Sequence, residues 1–390
     1  MSQFSKKYYL FLILFLGMLS AFGPFVTDMY LPTLPSMADV FNTTPSLVQM
    51  GLAASMFGLA IGQIFFGPLS DKYGRKVVLV SAMALFAVSV VASIYSPSIE
   101  FFNFCRFLQG LGGSGGIVLS RSIATDCYSG RELAKTLAII GAVNGIAPVT
   151  APVIGGIVAG SVGWRGIFWI LFGLGMLILL MCMVFKESCA IDRRYVGSVM
   201  SLLKKFAEIF RQKRFVIYTL LYTFTCGVLF SYISSASFII QNHFGYTELQ
   251  FAVVFGVNAI GIGIGSGLSL KFKNMYDAAL FGTSGVVLSV ALQVITYVLF
   301  PTFWIYEVLT FLMLVSIGFI LTSSTTLAMD EGRHMVGTAS AVFGASGFLS
   351  GSVVSPLVGL GDIMSTTLIL LGVCSLSSLG FALLALRRQA

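Results

Sequence analysis

Twelve long apolar runs constrain this chain more than any other feature of its sequence. A helix that crosses a bilayer needs about 20 mostly apolar residues, and every run reaches that length. The runs cover residues 8–34, 46–69, 77–96, 99–120, 134–160, 164–185, 214–240, 249–270, 277–299, 302–325, 334–358 and 364–386. Because an open sheet edge finds no hydrogen-bond partner in lipid, the sequence predicts an all-α membrane protein with 12 transmembrane helices.

The composition agrees with a membrane protein and argues against several other classes. Of the 390 residues, 57% are hydrophobic and 10% are charged, and the mean hydropathy is +0.95. So few charges cannot cover a water-facing surface. The six cysteines form no Cys-x-x-Cys pair and the two histidines lie far apart, so we predict no metal site and no cofactor. There is no Gly-x-x-x-x-Gly-Lys-Ser/Thr sequence for ATP, and the chain is not predicted to be an enzyme.

The basic residues lie mostly on one set of connections between the runs. Nearly all of the 23 lysines and arginines lie before the first run, after the last run or in alternate connections, and the other connections contain only Arg165. Positive charge marks cytoplasmic loops, so both termini and the central loop are predicted to be cytoplasmic. The net charge of +8 then reports topology, and no nucleic-acid partner is expected. The first run is long and has no convincing cleavage site, so we expect a retained span.

One polar stretch divides the runs into two sets of six. It predicts an N-terminal six-helix bundle at 1–185, a cytoplasmic central loop at 186–213 and a C-terminal six-helix bundle at 214–390. Charged residues alternate with apolar ones in the loop, which favours a partly amphipathic helix on the inner membrane surface. These residues are Lys204, Lys205, Glu208, Arg211 and Lys213.

The two halves show weak internal similarity. Residues 141–156 align with 344–359, and residues 28–41 align with 231–244. Two repeated bundles related by pseudo-two-fold symmetry, with a substrate cavity between them, are the architecture of one class of secondary transporters. Chance similarity between Gly-rich apolar segments is the alternative interpretation.

The connection after the second run has a distinctive sequence, GPLSDKYGRK. Gly67 and Gly74 permit a tight turn, and Asp71 can pair with Arg75 or Lys76 and interact with a helix N-terminus. The alternative is an ordinary basic loop.

The fourth run contains an arginine within its apolar length. Arg106 costs several kcal/mol there unless it faces a cavity, a partner or the interface. Gln109 lies nearly one turn further along and shares its face. Two interpretations remain open: the side chain extends to the outer surface, or it faces a cavity.

Prolines and small residues are concentrated in the fifth run. Pro148, Pro152, Gly155 and Gly156 allow a helix to kink and to pack closely against another helix. A purely structural packing face and a functional motif are both consistent with this pattern.

Asp28 and Tyr30 lie near the end of the first run, in TDMYLPTLP. If the run ends near Leu34, Asp28 lies about 9 Å below the outer surface at ~1.5 Å per residue. That depth matches Arg106. A carboxyl group so placed can exchange protons at physiological pH, whereas an interfacial acid at a helix end near Pro32 is the alternative.

The tenth and seventh runs contain the remaining candidates. Glu307 is either a second protonatable cavity group or an acid at the lipid interface. Tyr222 and Tyr232 could stack on a planar or cationic compound, although most aromatic residues of such a chain pack or face lipid.

These motifs together resemble those of one family. GPLSDKYGRK resembles the signature between spans 2 and 3 of the major facilitator superfamily, and RFLQGLGGSGG resembles the span 4 motif of its proton-linked antiporters. NGIAPVTAPVIGG is similar to the antiporter motif of drug exporters, with Ala151 in place of the first glycine. TDMYLPTLP resembles the span 1 signature of the Bcr/CflA branch, the bicyclomycin and chloramphenicol resistance type. The four motifs occur in the expected spans and order.

The resemblance implies a proton-driven multidrug efflux transporter that exports small amphipathic compounds by alternating access. Asp28 and Arg106, to which we add Glu307, would couple protons. Asp28, Arg106, Tyr30, Gln109, Tyr222 and Tyr232 would line the substrate cavity. A conformational latch would hold the outward-open state, and its residues would be Gly67, Asp71, Gly74, Arg75 and Lys76. Expected partners are drugs or metabolites, protons and the lipid bilayer, with a monomer in the bacterial inner membrane. A proton-coupled transporter of one metabolite, such as an amino-acid derivative, is the alternative.

Overall fold

The computed structural model describes residues 6–195 and 208–387, and this part of the chain is helical without strands. Residues 196–207, with most of the predicted amphipathic helix including Lys204 and Lys205, lie outside the described residues. Of the described helices, ten are long and apolar enough to cross a membrane by length and composition.

Six helices make up the described first half. They are α1 (Lys6–Asp28), α2 (Leu34–Val40), α3 (Pro45–Tyr73), α4 (Arg75–Ile94), α5 (Ile99–Cys127) and α6 (Gly130–Val184). The described second half contains α7 (Lys213–Phe238), α8 (Glu248–Ser269), α9 (Met275–Leu299), α10 (Phe303–Glu331), α11 (Val336–Val358) and α12 (Ile363–Arg387).

The predicted spans 5 and 6 are joined without a loop. Helix α6 has 55 residues, about twice what a bilayer needs. Gly163 (φ 65°, ψ −171°) is non-helical within it and divides it into two arms. A side chain at that positive φ would be strained, so glycine suits the bend. With these two arms and the 29-residue α5, the described helices supply the twelve predicted spans and confirm the predicted fold class.

A helix break lies inside the first predicted span. Helix α1 stops at Asp28, and a 3₁₀ turn at Leu31–Thr33 then leads into the short helix α2. Pro32 explains the break, since proline disfavours a helical residue before it and has no N–H group to donate. Asp28 is therefore the last residue of α1, while the segment long and apolar enough to cross a membrane continues to Val40.

Helices pack mainly within their own half. In the first half α5 packs against α3, α4 and α1, and in the second half α10 packs against α7, α8 and α9. The halves meet where α3 contacts α11 and where α6 contacts α8. This packing supports our proposal of two bundles at 1–185 and 214–390, on either side of the loop at 186–213.

Hydrogen bonds between the halves are concentrated on one side of the molecule. We call the side where α1 begins and α12 ends the terminus side, and the other the opposite side. On the opposite side Gln49 Nε2 donates to the Ser234 carbonyl (3.2 Å) and Gln241 Nε2 donates to the Pro32 carbonyl (2.9 Å). Ser46 Oγ also donates to the Pro356 carbonyl (2.9 Å). The described contacts thus hold the halves together mainly on the opposite side.

Candidate functional site

Arg106 lies inside the first half with no exposed surface. Its Nη1 donates to Gln109 Oε1 (2.7 Å), and its Nη2 donates to the Val26 carbonyl (2.7 Å) and to Ser55 Oγ (3.2 Å). The side chain therefore does not extend to the surface. The interpretation with a surface-exposed side chain does not fit this arrangement, and a cavity at Arg106 stays a prediction.

The partners of Arg106 follow from the ends and faces of the helices. The Val26 carbonyl is in the last turn of α1, where carbonyls have no partner within the helix and the dipole favours a cation. Gln109 is held from α4, since its Nε2 donates to Ser93 Oγ (2.9 Å) and the Ser89 carbonyl (3.3 Å). Its Oε1 is thereby turned towards Arg106.

Two aromatic rings cover the Arg106 guanidinium. Its central carbon lies 4.2 Å from the Tyr30 ring centroid and 5.6 Å from that of Phe168 in the second arm of α6. The Tyr30 hydroxyl and Arg106 Nε are both buried and make no hydrogen bond within the described residues. Cation–π contacts partly replace the lost hydration of the charge.

Asp28 is buried at the end of α1, in the same region as Arg106. It is 5% exposed, and its Oδ1 accepts a hydrogen bond from Thr27 Oγ1 (2.8 Å). Among the described ion pairs within 4.0 Å there is none between Asp28 and Arg106. In this conformation the Arg106 guanidinium binds the Val26 carbonyl, two residues before Asp28 at the end of α1.

The predicted aromatic cavity residues lie in the second half. The Tyr222 ring stacks on Phe343 of α11 at 3.9 Å, and the Tyr232 ring stacks on Phe255 of α8 at 5.6 Å. The Tyr232 hydroxyl also accepts a hydrogen bond from Asn258 Nδ2 (3.0 Å). No described hydrogen bond or ring contact joins either tyrosine to Asp28 or Arg106, so their role in a shared cavity stays a prediction.

Glu307 is also in the second half, one turn into α10. It lies beside Asn258 and lines a groove between α8 and α10. Its Oε2 is buried and has no hydrogen-bond partner in the part of the chain that the structure describes. The structure does not bring Glu307 to the Asp28 region, and its role in proton coupling stays a prediction.

The predicted latch residues surround one buried arginine on the terminus side. Arg75 Nε donates to Asp126 Oδ2 (2.8 Å), and its Nη1 donates to Asp71 Oδ1 (2.5 Å) and Ser70 Oγ (2.6 Å). Gly67 lies in α3 one turn before Asp71. All of these contacts lie within the first half.

The segment after α6 closes around the same turn. Glu187 accepts from the backbone N–H groups of Arg75 (2.9 Å) and Lys76 (3.1 Å), which caps α4. Lys76 Nζ donates to the Phe185 carbonyl (2.8 Å) at the end of α6. Gly74 has a φ of 97°, and a Cβ atom there would lie 2.6 Å from Glu187 Oε2. Glycine is therefore required at this turn.

The predicted antiporter motif forms two close contacts of α6. A Cβ atom on Gly155 would collide with the Met29 carbonyl, and one on Gly156 would lie 2.7 Å from the Ala252 Cβ of α8. Pro148 and Pro152 lie in the same arm as these glycines. Neither proline interrupts the described helix, because its one non-helical residue is Gly163, where the arms meet. The small residues thus let α6 approach both the end of α1 and the second half.

Sequence reasoning missed two acids of the first half. Asp126 binds Arg75 from 51 residues away, and Glu187 caps α4 from 111 and 112 residues away. Both acids lie close in sequence to basic residues of the terminus side. That placement was the one signal in the sequence that they could form ion pairs there. Pairing at such distances along the chain depends on the fold.

Helices of this length and apolar composition, packed in two bundles, define a multi-pass membrane protein. The family model described as Major Facilitator Superfamily matches residues 10–356. The chain therefore belongs to the major facilitator superfamily, and with its relatives this membership makes it a transporter and not an enzyme.

Its relatives place it within that family. It is 35% identical over 357 residues to an uncharacterized MFS-type transporter, YdgK, of Bacillus subtilis, covering 89% of this chain and 88% of the relative. It is 27% identical to the bicyclomycin resistance protein homolog of Haemophilus influenzae, with coverage of 89% and 88%. It is 32% identical to a chloramphenicol resistance protein of Pseudomonas aeruginosa, with coverage of 60% and 55%. These relatives confirm the predicted Bcr/CflA type.

A solved structure agrees with the fold. The bacterial homolog of the human lysosomal transporter Spinster, in its inward-facing and occupied conformation, superposes with a TM-score of 0.78 at 17% identity. The match covers 98% of both chains. At this identity the likeness shows the fold alone.

Proposed function

We propose that the chain is a drug/proton antiporter that exports small amphipathic compounds across the bacterial inner membrane as a monomer. The names of the relatives, which include bicyclomycin and chloramphenicol resistance, support a drug as substrate. The basic connections support an orientation with both termini and the central loop in the cytoplasm. In that orientation most of the described hydrogen bonds between the halves lie on the outer side of the membrane, and one, from Arg121 Nη1 to Ser340 Oγ (3.4 Å), lies on the cytoplasmic side.

The observation that carries the proposal is the buried carboxyl group of Asp28. It has one hydrogen bond, from Thr27, and is 5% exposed. A charge is costly in such a place, so the group is suited to take up and release a proton as its surroundings change. Arg106 would change those surroundings by exchanging partners. In the described conformation its Nη2 binds the Val26 carbonyl.

The transport cycle follows from an exchange of partners at the end of α1. When the halves rock, we expect the Arg106 guanidinium to leave the Val26 carbonyl and approach Asp28, which it stabilises as a carboxylate. Protonation of Asp28 from outside would then release the substrate, and deprotonation towards the cytoplasm would restore the site. Substrate and proton compete in this cycle.

The membrane potential supplies enough energy for export. One charge that moves through ~150 mV yields about 3.5 kcal/mol at ~2.3 kcal/mol per 100 mV. That energy supports a roughly 300-fold concentration gradient at ~1.4 kcal/mol per tenfold.

Efflux of a panel of antibiotics and dyes tests this proposal in cells and in everted vesicles, with and without a protonophore. We expect protonophore-sensitive export that Asp28→Asn abolishes, while the variant still binds substrate or exchanges it down its gradient. Asp39→Asn, which changes an exposed acid of α2, is the matched control and should keep full activity. Uphill efflux by Asp28→Asn with an unchanged pH profile would place the proton carrier elsewhere, with Glu307 the next residue to test.

The orientation has its own test. Single cysteines engineered near Asp39, Glu248 and Asp362 should react with an impermeant reagent added to intact cells, and cysteines near Arg193 or Arg333 should not. Labelling of the central loop from outside would overturn the orientation. Export of an amino-acid derivative alone from the panel would favour the metabolite transporter.

A further inference from the structure

A membrane-facing groove separates the first turns of α8 and α10 on the opposite side of the second half. Its volume is about 440 Å³, within the roughly 300–1,000 Å³ of sites that bind drug-sized ligands. Four of its apolar side chains are strongly exposed: Leu249, Val253, Val257 and Trp304. In a multi-pass membrane protein these side chains face the lipid acyl chains.

The wall of this groove contains one acid, Glu307. Its Oε2 is buried without a hydrogen-bond partner, and the described ion pairs include no cation within 4.0 Å of its carboxyl group. The lining residues include no lysine, arginine or histidine. A carboxyl group in the wall of a groove, with no described cation beside it, can form a charge-assisted hydrogen bond to a cation that a ligand brings.

Aromatic rings at the same place suit a cation. The Tyr246 and Phe303 rings lie 4.3 Å apart, and both line the groove together with Trp304. Ring faces attract ammonium groups, most strongly when water is excluded. An apolar trough, three aromatic rings and one carboxyl group together match an amphipathic molecule with a positively charged nitrogen at one end.

We propose that the groove between α8 and α10 binds a lipophilic amine that enters from the membrane, with its ammonium group at Glu307 and its apolar body against Trp304 and Val253. The site belongs to the second half and does not include Asp28 or Arg106. Binding at equilibrium needs no proton gradient, so this inference stands or fails apart from the proposed antiport.

Quenching of tryptophan fluorescence tests this site in the full chain, reconstituted into phosphatidylcholine nanodiscs. The probe is a brominated dodecylamine, with the matched brominated dodecanol as its uncharged control. We expect saturable quenching by the amine that is lost in Trp304→Phe, with the alcohol at least about tenfold weaker. Equal quenching by the amine and the alcohol would show a lipid-filled groove and overturn the proposal.

Two variants separate the charge from the shape of the groove. Glu307→Gln should weaken amine binding about tenfold and leave alcohol binding unchanged, while Glu248→Gln, an acid of the first turn of α8, should change neither. Val253→Phe, which fills part of the trough, keeps the acid and adds no tryptophan to the fluorescence signal, should weaken both probes. An unchanged amine affinity in both Glu307→Gln and Val253→Phe would overturn the proposal. Complete loss of amine binding in nanodiscs containing phosphatidylethanolamine would also overturn it, because that lipid's headgroup would then be the occupant.

Discussion

The two halves of the molecule share a fold and differ in how they use charge. The first half encloses Arg106 among α1, α3 and α5, and it encloses Arg75 between two acids at the terminus side. At the terminus side of the second half, the hydroxyl groups of Tyr218 and Tyr276 bind each other (2.6 Å). The described ion pairs of the second half are more exposed, most of all that of Arg333 with Asp330.

This difference assigns separate tasks to the halves. Buried charges cost several kcal/mol in a membrane protein and are kept where they act. Neutral hydroxyl and amide contacts hold helices together without that cost, as Thr225 and Ser378 do between α7 and α12. We infer that the first half contains the moving charges and that the second half serves mainly as the surface against which it moves.

The largest expected effect is at Arg106. Arg106→Ala leaves the Val26 carbonyl, Gln109 and Ser55 without their donor, and Arg106→Lys cannot reach all three because it lacks the planar fork. We expect both variants to lower the initial efflux rate, normalised to protein amount, by more than about tenfold. Tyr232→Phe in the second half should stay within about twofold. A full rate for Arg106→Lys would show that a point charge is sufficient.

Arg75 gives the next largest difference between the halves. Arg75→Ala removes the partner of Asp126 and Asp71, whose side chains are 19% and 48% exposed, so the cost lies below the about 3–5 kcal/mol of a fully buried pair. The midpoint of thermal unfolding in detergent should fall clearly. Arg333→Ala breaks the exposed pair with Asp330, worth about 0–1 kcal/mol, and should leave the midpoint nearly unchanged. Equal shifts in the two variants would contradict the unequal use of charge.

The contact between α6 and α8 allows a comparison of two glycines at one interface. Gly156→Ala places a Cβ atom 2.7 Å from Ala252, while Gly256→Ala meets Val153 at 3.4 Å, an ordinary contact. We expect Gly156→Ala to destabilise the closed interface by about 1–3 kcal/mol. Gly256→Ala should have almost no effect on its stability. The measurement is the cross-linking yield between cysteines placed at Gln49 and Ser234, which should fall in the first variant alone.

The smallest expected effect is at Tyr276. Tyr276→Phe removes one hydrogen bond, which is worth about 0.5–1.5 kcal/mol, and it leaves no charge unpaired. Transport should be unchanged, and the unfolding midpoint should fall slightly. Loss of transport in this variant would show that the Tyr218–Tyr276 contact takes part in transport. That result would contradict the division of tasks between the halves.

Local patterns in the sequence predicted part of the fold and of the candidate site. The rest depends on contacts between residues that lie far apart in the chain. Apolar runs are local, so the spans were predictable, and the spacing of Arg106 and Gln109 placed both on one helical face, where they do bind each other. The helix break after Asp28 was not predicted, because the apolar run continues past Asp28 although α1 does not. The Val26 carbonyl could not be foreseen as a partner, since backbone groups leave no trace in composition.

The bend at Gly163 ties two distant events together mechanically. One arm of α6 carries Gly156 at the contact with α8, and the other carries Phe168, whose ring covers Arg106. No loop separates the arms to absorb displacement, and Trp164 anchors the second arm against Phe41 and Phe102. We therefore expect the two arms to move together. A tilt that separates the first arm from α8 should also move the Phe168 ring away from the Arg106 guanidinium.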